Sequence, residues 1–406
     1  MIKFRHISLW FFTMICLVLV SCDRDEVTAD LFSVEPRLSS SQFVFTRTAG
    51  DIRGLFTVSG LDLPVQKINY ATQMWRVEYN TLYKGTTITA SGLVYIPESE
   101  ESLPLISIQH GTIADNASAP SQKPLQDVEN LLYAGLAATG FVVAVPDYIG
   151  FGSSRELMHP YYVAEATDVA VADMIRAAAE LANENGRKLS KNLYLAGYSQ
   201  GGYATLATQK YVEEQGMEYF NLKASFPAAG GYDLIGMRDY LVGLEVYHEP
   251  FYLAYVAASY QDYYGLDSGL YPALFRQPYA QVIPDVFDGL RDGGDINALL
   301  HDSLAVFLTQ EFIQHPDTTA FHEFNTLLTE NSLLGWIPEV PVFFYHGTAD
   351  VTVPFQNSQA TYDHFMAVGA SAGTVSLTPL TGYTHYTGFV PYITGFLDHL
   401  LAMEGI

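Results

Sequence analysis

Cysteine is almost missing from this chain, with two in 406 residues, Cys16 and Cys22. Cys16 sits inside an apolar N-terminal run, so the rest of the chain holds a single thiol. That excludes an intramolecular disulfide framework and a cysteine-built metal site. Basic residues are scarce too, 20 Lys and Arg against 44 Asp and Glu, for a net charge of -24. Nucleic acid is therefore a poor partner, since phosphates need Lys and Arg. Otherwise the acid balance speaks to solubility. No Pro- or Ser-rich linker divides the middle of the chain, and no repeat, phosphate-binding loop or dinucleotide fingerprint stands out. No cofactor or metal is implied. One large core with an insertion accounts for the length better than two independent domains.

The apolar run Ile7–Val20 follows a basic start at Lys3, Arg5 and His6. It falls short of the roughly 20 residues that span a bilayer, and it reads as a secretory signal over residues 1–21. Its end, LVSC at 19–22, resembles the lipobox of bacterial lipoproteins, in which the cysteine is lipidated after cleavage. Cys22 would then be the first mature residue and the membrane anchor. Loss of Lys3 and Arg5 would move the net charge from -24 to -26. The acidic run Asp23, Arg24, Asp25, Glu26 resembles the surface-export signal of Bacteroidetes lipoproteins. Asp in the second position also resembles the inner-membrane retention signal of some other Gram-negative bacteria. The expected location is a lipid-anchored cell envelope, outer membrane or cell surface.

From residue 75 onward, strand-like and helix-like segments alternate. RVEYNTLY (76–83) and TTITASGLVYIP (86–97) have the β-branched alternation of an antiparallel pair. Apolar strands follow in PLISIQHGT (104–112), GFVVAVPDYIGFG (140–152), NLYLAGYS (192–199), LKASFPAAGG (222–231) and PVFFYHGTAD (341–350). Helical spacing runs through 163–184, 201–214 and 355–368. TVSLTPL (374–380) and a helix from about Gly388 close the chain. Apolar strands alternating with helices predict an α/β fold, a mostly parallel sheet covered on both faces. In such sheets ligands collect at the carboxyl ends of the strands, where QHGT, PDYIGFG, GYSQGG, PAAGG and HGTAD all fall. Between Tyr232 and Trp336 the alternation stops, and a tyrosine-rich, helix-like insertion is expected to fold over that end.

A lone Gly-x-Ser-x-Gly decides little in a chain with 32 glycines. Its context decides more. Gly197-Tyr198-Ser199-Gln200-Gly201 follows an apolar strand and opens a helix, as a nucleophile elbow requires. A serine hydroxyl needs an imidazole to take its proton and a third group to hold that imidazole. Asp350, in HGTAD at a later strand end, is the expected acid; Asp147 and Asp233 compete for the role. His385, on a loop between the last strand and the last helix, is the expected base. His346 reads as structural, and His364 and His399 lie inside helices. The expected oxyanion donors are the backbone N–H groups of Gln200, after the nucleophile, and Thr112, in the early His-Gly-Thr loop.

From about residue 70 to the C-terminus the chain resembles the α/β-hydrolases. QHGT, PDYIGFGSS, GYSQGG, PAAGGYDLIG, an insertion of about a hundred residues, HGTADVTVP and THYTGF look most like their secretory lipase and esterase group. The resemblance implies a serine carboxylic ester hydrolase, with Ser199 as nucleophile, Asp350 as acid and His385 as base. It also implies a helical lid that shields an acyl pocket. The tyrosine-rich insertion would suit a glycan-linked ester as well as a lipid. A serine peptidase of the same fold and a non-catalytic, glycan-binding surface lipoprotein are the alternatives. The expected organisation is a signal over 1–21, a tether and N-terminal extension over 22–65, core over 66–231, lid over 232–336 and core again over 337–406.

Overall fold

The computed structural model describes residues 35–59, 64–217 and 219–406. The expected signal peptide and Cys22 lie outside the described residues. Those described form a nine-stranded sheet in the order β1-β2-β3-β5-β4-β6-β7-β8-β9. Three strands make an antiparallel wing: β1 (Leu38–Arg47), β2 (Thr72–Tyr83) and β3 (Thr86–Pro97). Lys84 and Gly85 both adopt positive φ, 49° and 74°, in the two-residue turn between β2 and β3. That backbone twist matches the twist of the flanking strands.

The remaining strands are β4 (Ser102–Gln109), β5 (Val142–Pro146), β6 (Lys188–Tyr198), β7 (Asn221–Ala228), β8 (Val342–Gly347) and β9 (Val375–Leu380). They run parallel to one another, and β5 joins the wing through β3. β5 is buried along its whole length, as its run VVAVP requires. The chain leaves β4 toward β5 on one side and later enters β6 on the other. The order therefore reverses between β4 and β6, where loops diverge and leave a crevice.

Helices α1 (Ala49–Ser59) and α2 (Val128–Ala137) share one face of the sheet with the C-terminal helix (Phe389–Glu404). Helices α3 (Ala164–Glu184) and α4 (Gln200–Gln215) cover the other. Within the expected extension, residues 27 to about 65 read in the sequence as a tether followed by irregular strands. Its described part is instead built into the fold. β1 pairs along β2, and the Phe56 ring of α1 fills the space where Gly135 of α2 has no side chain. Between α1, α2 and the C-terminal helix lies about 850 Å³ of unfilled apolar space, its mouth included, lined by Phe56, Leu132, Leu136, Phe396 and Leu401.

Between β7 and β8 the chain makes the expected insertion. Its helices are α5 (Leu234–Val242), α6 (Phe251–Tyr264), α7 (Leu270–Leu274), α8 (Tyr279–Val286), α9 (Gly293–Asn297), α10 (Leu304–Phe307), α11 (Gln310–Gln314) and α12 (His322–Glu330). Helices α13 (Phe355–Val368) and α14, the C-terminal helix Phe389–Glu404, complete the order. None of the insertion's ten tyrosines is exposed: five are buried and five are half-buried. Tyr255 and Tyr260 are buried, and their hydroxyls donate to the carbonyls of Ile113 and Tyr162.

Candidate active site

The turn from β6 into α4 is held by glycines that cannot be replaced in place. A Cβ at Gly201 would sit 2.0 Å from the Gln109 carbonyl oxygen, and one at Gly197 would sit 2.3 Å from that of Gly201. With those contacts fixed, the residue between them is forced out of the ordinary backbone regions: Ser199 has φ 61° and ψ -122°. Such a conformation in a non-glycine costs about 1–3 kcal/mol. It lifts the Ser199 side chain clear of the sheet at the start of α4, whose helix dipole favours negative charge there.

Two other strand ends bring their side chains to this hydroxyl. The Ser199 Oγ–H donates to His385 Nε2 at 2.9 Å, across 186 positions of sequence. His385 Nδ1–H donates to Asp350 Oδ2 at 2.7 Å. The network sets the tautomer: Nδ1 carries the proton, and Nε2 is free to accept one. The loop after β8 supplies Asp350 and the loop after β9 supplies His385. Tyr198 fastens the His385 loop by donating its hydroxyl to the His385 carbonyl at 2.6 Å.

Asp350 is fully desolvated, and burial by itself would raise its pKa. Hydrogen bonds from His346 and His385 outweigh that and hold the carboxyl below its ordinary value. The backbone N–H groups of Thr352 and Val353 donate to Oδ1 at 2.9 and 3.0 Å. His346 is more than packing. Its Nε2–H points at the Val353 carbonyl (2.9 Å) and Asp350 Oδ2 (3.2 Å), while Ser358 donates to its Nδ1. The sequence reading of His346 as structural missed that second imidazole on the acid.

The competing acids are occupied elsewhere. Asp147 is buried and accepts from the hydroxyls of Ser91 and Ser121. Asp233 caps α5 through the Gly236 N–H. His399 on α14 bonds the Tyr345 hydroxyl, and His364 lies within α13 beside Phe365.

The His-Gly-Thr loop after β4 lies against Ser199: a Cβ at Gly111 would be 3.8 Å from that of Ser199. Thr112 is tied to Tyr161 through their hydroxyls at 2.9 Å. The Gln200 side chain, 1% exposed, donates its amide to His159 Nε2 at 2.7 Å. His159 in turn donates Nδ1–H to the Ile149 carbonyl at 2.7 Å. Burial pushes the His159 pKa down to about 3, so the ring is neutral and can accept. Sequence reasoning missed His159, which lies 41 positions from Gln200 with no periodic signal linking them.

Ser199 opens into about 800 Å³ of unfilled space, its mouth included, between the sheet and the insertion. The walls are mainly apolar, among them Leu234, Met237, Leu241, Phe275, Leu308 and Val353. No group of three or more His, Cys, Asp or Glu residues fit to hold a metal occurs among the described residues.

A mostly parallel sheet with a strained serine at a strand-to-helix turn defines the class, and the chain belongs to the α/β-hydrolase superfamily. More narrowly, the model of the secretory lipase family matches residues 118–215 and 287–389. Lipase 1 of Candida albicans is 24% identical over 302 residues, covering 70% of this chain and 58% of that protein. Lipase 5 of the same yeast is 25% identical over 264 residues, covering 60% and 51%. The match thus spans little more than half the length of these relatives. Among solved structures, the rice cell wall degrading esterase LipA of Xanthomonas oryzae superposes with a TM-score of 0.80 at 26% identity. The superposition covers 90% of this chain and 98% of that one. Candida antarctica lipase A shares the fold, with a TM-score of 0.61 at 15% identity over 88% and 79% of the two chains.

Proposed function

We propose that the protein is a serine carboxylic ester hydrolase acting on esters with an apolar acyl group. The observation that carries this reading is the Ser199–His385–Asp350 relay opening directly into an apolar cavity. Ser199 Oγ attacks the ester carbonyl carbon as His385 Nε2 takes the hydroxyl proton. Asp350, kept ionised, stabilises the resulting imidazolium and holds its orientation. The N–H groups of Gln200 and Thr112 receive the negative oxygen, a contribution of about 3 kcal/mol for each donor. As the tetrahedral intermediate collapses, the alcohol leaves with the proton from His385. An acyl-enzyme remains on Ser199. Water, deprotonated by His385, then cleaves it to free acid and serine.

The insertion over 232–336 serves as the lid of the acyl pocket. Its tyrosines support that role more than a sugar platform, since Tyr247 is buried and donates to the Thr352 carbonyl beside Asp350. The Cys22 anchor and the cell-envelope location belong to the same proposal, on the strength of the LVSC sequence. Replacing Cys22 with Ser would then release the protein from the membrane fraction.

The direct test is hydrolysis of p-nitrophenyl esters from acetyl to palmitoyl, with Ser199→Ala run alongside. Activity that rises with acyl length and disappears in the variant is expected. Equal rates in the two proteins would end this reading.

A further inference from the structure

The carbonyl of Gly111 and the N–H of Thr112 belong to one peptide unit, in the loop that leaves β4 beside Ser199. That peptide is trans, and a trans unit is planar, with its oxygen and its hydrogen on opposite sides. Whatever holds the Gly111 oxygen therefore aims the Thr112 N–H. Without a hold the unit could turn over at little cost, because glycine has no Cβ to oppose the rotation.

His110 supplies the hold. Its buried ring places Nδ1 2.7 Å from the Gly111 carbonyl oxygen and Nε2 3.2 Å from that of Asp147. Both partners are carbonyls, which can only accept. Burial pushes the His110 pKa below its ordinary value, so the neutral ring has one proton to give. The shorter contact claims it, and Nδ1–H donates to Gly111. Tyr148 fixes the ring in turn. It lies against the imidazole at 4.2 Å and donates its hydroxyl to the His110 carbonyl at 3.1 Å. To do so Tyr148 adopts φ 67°, a strained backbone for a bulky residue.

The strand order gives this hold a direction. β4 lies between β5 and β6. Asp147 and Tyr148 follow β5, whereas Ser199 follows β6. The Thr112 N–H donates to no backbone acceptor among the described residues. Its side chain is fixed separately, through the Tyr161 hydroxyl at 2.9 Å.

We propose that His110 is a positioning residue for the reaction: by holding the Gly111 oxygen on the β5 side, it keeps the Thr112 N–H turned toward Ser199 and the ester oxygen that becomes negative. This rests on the ester-hydrolase reading above, in which Thr112 N–H is one of two donors to that oxygen. The imidazole itself touches no reacting atom. It acts through one peptide plane.

The test compares hydrolysis of p-nitrophenyl dodecanoate by wild type, His110→Asn, His110→Gln and His110→Leu. An asparagine amide nitrogen takes the place of Nδ1 and can still donate to Gly111. A glutamine nitrogen takes the place of Nε2 and reaches Asp147 instead. His110→Gln and His110→Leu are expected to lose about 10²-fold in kcat with KM within about threefold of wild type, as loss of an oxyanion donor requires. His110→Asn is expected to stay within about tenfold of wild type in kcat. A ring that only packs predicts the reverse order, since glutamine keeps more of its volume, and that order would overturn the proposal. So would equal kcat in all four proteins. If the leucine variant does not fold, the asparagine and glutamine pair carries the comparison. Crystal structures of the same proteins read the peptide without turnover. The Gly111 carbonyl is expected to keep its direction in His110→Asn and to turn, wholly or in part, in His110→Gln. An unturned carbonyl in His110→Gln would overturn the proposal. If wild type hydrolyses no ester, the proposed function fails, and these structures still decide what His110 holds.

Discussion

Two apolar cavities of nearly equal volume flank the elbow, about 850 Å³ under α1, α2 and α14 and about 800 Å³ under the insertion. They share a wall. Gly197 and Tyr198 line the first, and Ser199 lines the second. Size and greasiness therefore do not mark the site. What separates the two is a strained backbone at Ser199 and the His385 imidazole hydrogen-bonded to its hydroxyl. The first cavity is a gap between helices; the second is the one into which Ser199 opens.

The sharpest way to break this contrast is to remove the chemistry and leave the space. Ser199→Ala and His385→Ala should each lower kcat for ester hydrolysis by about 10⁴- to 10⁶-fold, with unfolding midpoints close to wild type. A smaller loss would mean that the second cavity is no more reactive than the first. Next comes the shared wall. Gly201→Ala drives a Cβ into the Gln109 carbonyl and should cost about 3 kcal/mol in urea unfolding, at the upper end of overpacking penalties.

Acid titration probes the support behind Gln200. His159 is neutral in the fold, with a pKa near 3 against 6.5 when free. As pH falls below 6.5 the unfolded chain gains the proton first, so stability drops from pH 6.5 toward 3 and is level above that range. The slope from this one group is at most about 1.4 kcal/mol per pH unit, and His159→Gln should flatten it. The mildest test fills each cavity in turn. Leu308→Trp should reduce the preference for dodecanoate over acetate esters roughly tenfold, on the scale of changes in apolar pocket size. Leu132→Trp, in the other cavity, should leave that preference unchanged.

Much of this was legible in the sequence, and the reason is local. The β2–β3 hairpin and α13 could be read closely because alternation, helical spacing and the glycine at the turn are near-neighbour signals. The three residues of the relay were legible because each sits at a strand end and their order along the chain is diagnostic. Inside the insertion, α7, α9, α10 and α11 are four or five residues long, too short to show a period. β1 could be read only as irregular strand because, at the sheet edge, its burial pattern is irregular and mostly exposed. His159 was missed for another reason: its partner Gln200 lies 41 positions away, where no spacing rule applies.

That separation in sequence also orders events in time. Ser199 and His385 are joined across 186 positions, and α14 follows the histidine by only a few residues. During synthesis the elbow, the insertion and the Asp350 loop all leave the ribosome before the base does. A chain that ends before residue 385 would contain every described strand and still lack the proposed group that takes the Ser199 proton. The proposed base is therefore made after the serine and the acid that it joins.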